Sequence, residues 1–306
     1  MKRVVWILAV VVALAVWSSG TVWANGGPHG GYTATTDACA GCHRAHTAQG
    51  PRLLTATSTY DLCMSCHGSA GTGADTNVAD GVYTNRAGGG EGTVGNPLLG
   101  GGFVFYNGVA VTSTHDVSGT VLAAWGNGVD RGQTANLAEG LDCASCHDPH
   151  GSPNYRIFHT NINGKAVTVT DYDAAAKDYT VENWTTAEIS SFCAACHESY
   201  HETAANVGSN STAWLYNYGA GTYTHRVDMP YTYGTNQNPE TVGFGGFTLP
   251  LADGVNPDEI VVCTTCHLPH GTSASMTGYA AGAGPAGDSA LLRLDNRGVC
   301  EVCHQK

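Results

Sequence analysis

The stretch LDCASCHDPHG, residues 141–151, holds two cysteines and two histidines within eight positions. His147 directly follows Cys146, and His150 comes three residues later. The first part of this pattern recurs along the chain as CAGCH (39–43), CMSCH (63–67), CASCH (143–147), CAACH (193–197), CTTCH (263–267) and CEVCH (300–304). The six copies use all 12 cysteines, and every copy carries its histidine. Disulfides or zinc also use cysteine pairs, but neither needs a histidine at one fixed offset in each copy.

CxxCH is the attachment signature of c-type haem. Its two thiols bond covalently to the macrocycle, and the adjacent histidine reaches the iron from one side. The pattern predicts six covalently attached haems c. Their attachment residues are Cys39, Cys42, Cys63, Cys66, Cys143, Cys146, Cys193, Cys196, Cys263, Cys266, Cys300 and Cys303. The matching iron ligands are His43, His67, His147, His197, His267 and His304.

The rest of the composition needs such a cofactor. Residues 1–24 read as an export signal: Lys2 and Arg3, an apolar run from Val4 to Trp17, then small residues to Ala24. That run is too short to span a bilayer, so no transmembrane segment is expected. In residues 25–306, Leu, Ile, Val and Phe number 45 of 282, while glycine is 41 of all 306. Polypeptide this poor in core formers does not bury enough apolar surface to offset its ordering entropy. Haems supply the missing apolar mass. The expected fold is a single hexahaem domain over 25–306, mostly irregular coil, with short helices at the motifs and a few small β-hairpins. The haem stack serves as its core. Motif starts lie 24, 80, 50, 70 and 37 residues apart, so no fixed repeat is present. Removing Lys2 and Arg3 leaves 11 basic against 25 acidic side chains, a net charge of −14. That surface disfavours nucleic acid and anionic membrane.

Eight histidines lie outside the motifs. His46, His150 and His270 each follow a motif histidine by three residues, and His201 follows His197 by four. Helical neighbours at that spacing share one side, with Cβ atoms roughly 5–6 Å apart, and so do not grip one iron from opposite faces of a flat ring. Each should reach a different haem. His115 and His225, in the two longest intervals, complete a set of six: His46, His115, His150, His201, His225 and His270. His159 is expected not to be a ligand, and His29 is held in reserve. Two imidazoles per iron leave no open position, which predicts electron transfer and no enzyme activity. Met64 lies inside a motif, and Met229 and Met276 read as packing residues.

Local signals fill in the remainder. Pro149 and Pro269 turn the chain after HDPHG and HLPHG, where Gly151 and Gly271 permit tight turning. FVFYNGVAV (103–111) and NINGKAVTVT (161–170) carry Asn-Gly hairpin signals. TTAE at 185–188 resembles a capping box and predicts a helix through Cys193 to Tyr200, with His197 and His201 on one face. The Gly-rich runs at 87–92 and 279–287 read as loops without a phosphate-binding pattern.

In motif order the chain resembles the OmcS-type outer-surface hexahaem cytochromes, which polymerise into electron-conducting filaments. The resemblance rests on CHRAH, CMSCHGSAG, STHDVSG, CASCHDPHG followed by YR, FCAACHESYH, YTHRVDM, CTTCHLPHG and CEVCHQK. It implies a homopolymer in which His46 binds the iron held by Cys263, Cys266 and His267 of the next subunit, giving one continuous haem chain. It also implies an extracellular or outer-surface location, donor cytochromes, and external acceptors such as metal oxides, partner cells or electrodes. The residues alone leave two other readings open: a monomeric periplasmic or surface electron carrier, and a multihaem reductase with a five-coordinate haem.

Overall fold

The computed structural model describes residues 29, 39–71, 74–84, 95, 97–124, 134–135, 137–170, 188–201, 215–217, 223–231, 243–244, 247–252, 260–281, 289–296 and 298–304. The expected export segment, the 87–92 run, most of 279–287 and the first three residues of TTAE lie outside them.

Each motif lies on, or at the end of, a short helix: Cys39–Cys42, Thr59–His67, Cys143–Cys146, Glu188–Ala194, Cys263–Cys266 and Gly298–Glu301. Two of the one-turn helices are held by their own third motif residue. Ser145 Oγ accepts from the Asp142 N–H at 3.0 Å, and Thr265 Oγ1 accepts from the Val262 N–H at 3.0 Å, each reaching back across the turn. The longest helix among the described residues, Thr59–His67, starts where Ser58 Oγ accepts from the Asp61 N–H at 3.0 Å. It stops at Gly68, where a Cβ would lie 2.5 Å from the Met64 carbonyl oxygen.

The Glu188–Ala194 helix ends earlier than the sequence predicts. His197 (φ −101°, ψ 54°) and His201 (φ −135°, ψ 69°) flank a separate 3-10 turn at Glu198–Tyr200. These two histidines therefore do not share a helix face. Cys193 sits at the helix C-terminus, so its motif continues as turn.

Among the described residues the strands form eight antiparallel pairs of two or three residues each. Phe105–Tyr106 pairs with Val109–Ala110, and Asn161–Ile162 with Lys165–Ala166. Both hairpins turn on Asn-Gly dipeptides with positive φ, Asn107/Gly108 and Asn163/Gly164, as a type I′ turn demands. Two pairs join distant segments: Gly271–Thr272 with Ser113–Thr114, and Met229–Pro230 with Ile260–Val261.

Apolar burial is divided among small clusters. The largest comprises Ile162, Val167, Val169, Ile189, Phe192, Ala195, Ala252 and Val262, with Cys146 and Cys196 packed against it. Met229, Leu251 and Val261 form a second, so Met229 packs as an apolar side chain. Leu249, Val299 and Val302 form a third, beside Cys303. Met276 is also buried. No helix among the described residues is long and apolar enough to cross a membrane.

Candidate haem sites

The local fold of each motif gathers its three reactive side chains. In five motifs the histidine N–H returns to the carbonyl of the first cysteine: His43 to Cys39 (2.8 Å), His147 to Cys143 (3.1 Å), His197 to Cys193 (3.0 Å), His267 to Cys263 (3.0 Å) and His304 to Cys300 (2.7 Å). One turn of this kind sets residues i, i+3 and i+4 on one side, two thiols and one imidazole together.

Three motifs are then clamped by the same returning loop. Leu54, Phe158 and Leu292 form isolated bridges with His43, His147 and His267. In each loop two consecutive residues take positive φ: Arg52 and Leu53, Arg156 and Ile157, Ala290 and Leu291. This left-handed pair costs roughly 1–2 kcal/mol per residue. It aims the carbonyl of its first member at the motif histidine, whose Nδ1–H donates to Arg52 O (2.9 Å), Arg156 O (2.9 Å) or Ala290 O (2.8 Å). The residue after each bridge pins the motif from the other side. Thr55 Oγ1 donates to Gly41 O at 3.3 Å, His159 Nε2 bonds Ala144 O at 2.7 Å, and Arg293 Nε donates to Thr264 O at 2.8 Å. His159 is thus a positional pin, with its other ring nitrogen 4.0 Å from Asp148.

Ring-nitrogen use separates nine of the 14 histidines into two groups. His67 Nδ1 bonds Thr76 Oγ1 at 2.9 Å, His115 Nδ1 bonds Pro269 O at 2.5 Å, His225 Nδ1 bonds Arg226 O at 2.7 Å and His29 Nδ1 bonds Pro149 O at 3.3 Å. Like His43, His147 and His267, these rings commit Nδ1 to the protein, which leaves Nε2 as the nitrogen that could hold a metal. His159 and His201 are reversed: each commits Nε2, His201 to Asp228 Oδ2 at 2.5 Å.

Burial pushes His270 down to about 3 and His147 down to about 4, and also lowers His115 and His267. These imidazoles are neutral, the form that binds metal. The Asp228 carboxylate bonded to His201 raises that imidazole above its ordinary range.

Five pairs of imidazoles face each other across a gap. Ring centres lie 6.2 Å apart for His43 and His150, 6.1 Å for His67 and His29, 6.4 Å for His147 and His270, 6.0 Å for His197 and His115, and 6.2 Å for His304 and His225. With histidine–metal bonds of about 2 Å, and about 1 Å from ring nitrogen to ring centre, two imidazoles gripping one metal hold their centres about 6 Å apart. The donor set therefore fits a haem iron at each pair. Each pair joins one motif histidine to one histidine distant from that motif. Among the described residues no imidazole faces His267 in this way, and His46 is exposed. The sequence reading placed His201 in the distal set and His29 in reserve; the structure sets His29 opposite His67 and turns His201 to Asp228.

The motifs also adjoin one another in chain order. Cys42 lies near Cys63 and Cys66, Cys63 lies beside Cys143, and Cys146 neighbours Cys196. Cys193 likewise lies beside Cys263, and Cys266 neighbours Cys300 and Cys303.

Residues 32–72 and 135–165, which hold the first three motifs, match the doubled CXXCH motif family. No curated protein and no solved structure matches the chain. The motifs indicate covalently bound haem c, and the family match supports a multihaem c-type cytochrome, a class whose members typically carry electrons.

Proposed function

We propose that the chain carries six haems c and conducts electrons along them as a polymer outside the cell. Five irons take the ligand pairs His43/His150, His67/His29, His147/His270, His197/His115 and His304/His225. The sixth, on His267, takes His46 of a neighbouring copy. Haem supplies one-electron redox chemistry; the chain supplies neutral imidazoles, fixes their tautomers and holds the macrocycles in line. Thiol adjacency supports an order along the molecule that follows the sequence.

One observation carries this reading. Among the described residues five imidazole pairs close within the chain, no ring stands opposite His267, and His46 is exposed. A donor and a vacancy on the same chain, each unmatched internally, can satisfy one another between copies, and repetition of that contact is open-ended. The same observation favours a second reading in which the chain stays monomeric and the His267 iron keeps an open position for a small ligand.

His46→Ala separates the two. Electron microscopy of the native protein should show filaments that the variant does not form, with six haems still attached by mass spectrometry. Normal filaments from His46→Ala contradict the polymer contact, and compact particles from the unmodified protein favour the monomer.

A further inference from the structure

Among the described residues the Nδ1 partners of His43, His67, His147 and His267 can be compared, and that of His67 differs in kind. His43, His147 and His267 donate to backbone carbonyls at 2.8–2.9 Å, whereas His67 bonds the side-chain hydroxyl of Thr76 at 2.9 Å. We propose that Thr76 tunes the reduction potential of the haem attached to Cys63 and Cys66, raising its affinity for an electron above what a backbone carbonyl would give. The proposal rests on the ligation of that iron by His67 and His29.

The effect of Thr76 on the iron runs through the His67 imidazole. A strong acceptor at Nδ1–H makes the ring more electron-donating at Nε2 and stabilises the ferric ion. A hydroxyl oxygen is a weaker acceptor than a peptide carbonyl, so the ferric form gains less and reduction becomes easier. The opposing ring points the same way. His29 Nδ1 reaches Pro149 O at 3.3 Å, against 2.5 Å for His115 and 2.7 Å for His225. Reduction is a one-electron step from ferric to ferrous; no bond forms or breaks, and the Nδ1 proton stays on His67.

Thr76 is held for this task. It begins a two-stranded ladder, Thr76–Asn77 with Val82–Tyr83, and Val78 N–H donates to His67 O at 2.8 Å, so strand and helix end are locked together. Asn77 and Asp80 brace the turn: Asn77 Nδ2 donates to Asp80 Oδ2 at 2.6 Å and Asp80 N–H to Asn77 Oδ1 at 3.0 Å. Unlike the carbonyls of the three clamps, this acceptor can be exchanged by substitution.

Spectroelectrochemical titration of the full haem-loaded protein tests the proposal, with difference spectra between variants isolating the affected step. Thr76→Val keeps the shape and removes the acceptor; one step should move up by about tenfold in its equilibrium constant, 59 mV for a one-electron couple. Thr76→Asn offers an amide carbonyl and should move the same step down. Thr76→Ser should restore the original value. Opposite shifts from Val and Asn distinguish tuning from a structural role, which would move both alike. No shift, or shifts of one sign, overturns the proposal. Loss of low-spin character at this iron in the unmodified protein would instead overturn the ligation reading beneath it.

Discussion

At the scale of single residues, the choice of ring nitrogen separates an imidazole able to bind iron from one committed to the protein. His29 uses Nδ1 and sits 6.1 Å from His67, while His201 spends Nε2 on Asp228. His29→Ala should therefore convert one iron to high-spin by electron paramagnetic resonance, whereas His201→Gln should leave all irons low-spin. The second variant should act on stability and pH instead. The bond to Asp228 raises the His201 pKa above 6.5, so its stabilisation is fully present below that pH and lost as pH rises through the folded value. The partners are half-buried, and chemical denaturation of His201→Gln should show a loss of about 1 kcal/mol at pH 5.5 that shrinks towards zero at pH 9. A loss independent of pH would show that the charge is not involved. The motif histidines can be named from sequence because each follows its second cysteine directly. The distal set was legible only as a pool, since which imidazole meets which iron is decided by tertiary approach. His197 and His201 are four apart, but the turn after Ala194 takes them off a common helix, so the shared face that the spacing predicts is not formed.

At the scale of elements, the chain is built from turns whose backbone angles carry most of the information. The Asn107-Gly108 and Asn163-Gly164 hairpins were plain in the sequence because a type I′ turn has a residue signature. The three clamps were not, because Arg52-Leu53, Arg156-Ile157 and Ala290-Leu291 occupy the left-handed region with residues that do not advertise it. Their signal lies in equivalence: the clamp follows its histidine by 11 residues twice, and by 25 at the fifth motif, where the insertion hides it. Glycines at positive φ differ in what surrounds them. Gly108 (φ +74°) has open space around a would-be Cβ, whereas at Gly101 (φ +83°) that atom would lie 2.0 Å from Gly271 O. Gly108→Ala should cost about 1 kcal/mol, the backbone penalty alone. Gly101→Ala should cost at least twice that in thermal or denaturant unfolding, because it also forces apart the segments at Gly101 and Gly271 beside His270. Equal costs at the two sites would show that the Gly101–Gly271 approach contributes little.

At the scale of the whole molecule, the scarcity of core formers found in the composition reappears as small separate clusters, each beside motif cysteines or the segments that lead into them. Under the proposed function, the gaps between the imidazoles are where the cofactor would complete this apolar packing. The 12 cysteines predict six attachment sites from sequence alone, whereas the proposed assembly rests on tertiary approach, because the absence, among the described residues, of an imidazole facing His267 is visible only once the five imidazole pairs are placed. The most direct measurement is a spin count of ferric iron by electron paramagnetic resonance, on the assembled protein and on chains dissociated from it. The account predicts six low-spin irons per chain in the assembly, and five low-spin with one high-spin after dissociation. Six low-spin irons in the separated chain, or a high-spin iron persisting in the assembly, would contradict it.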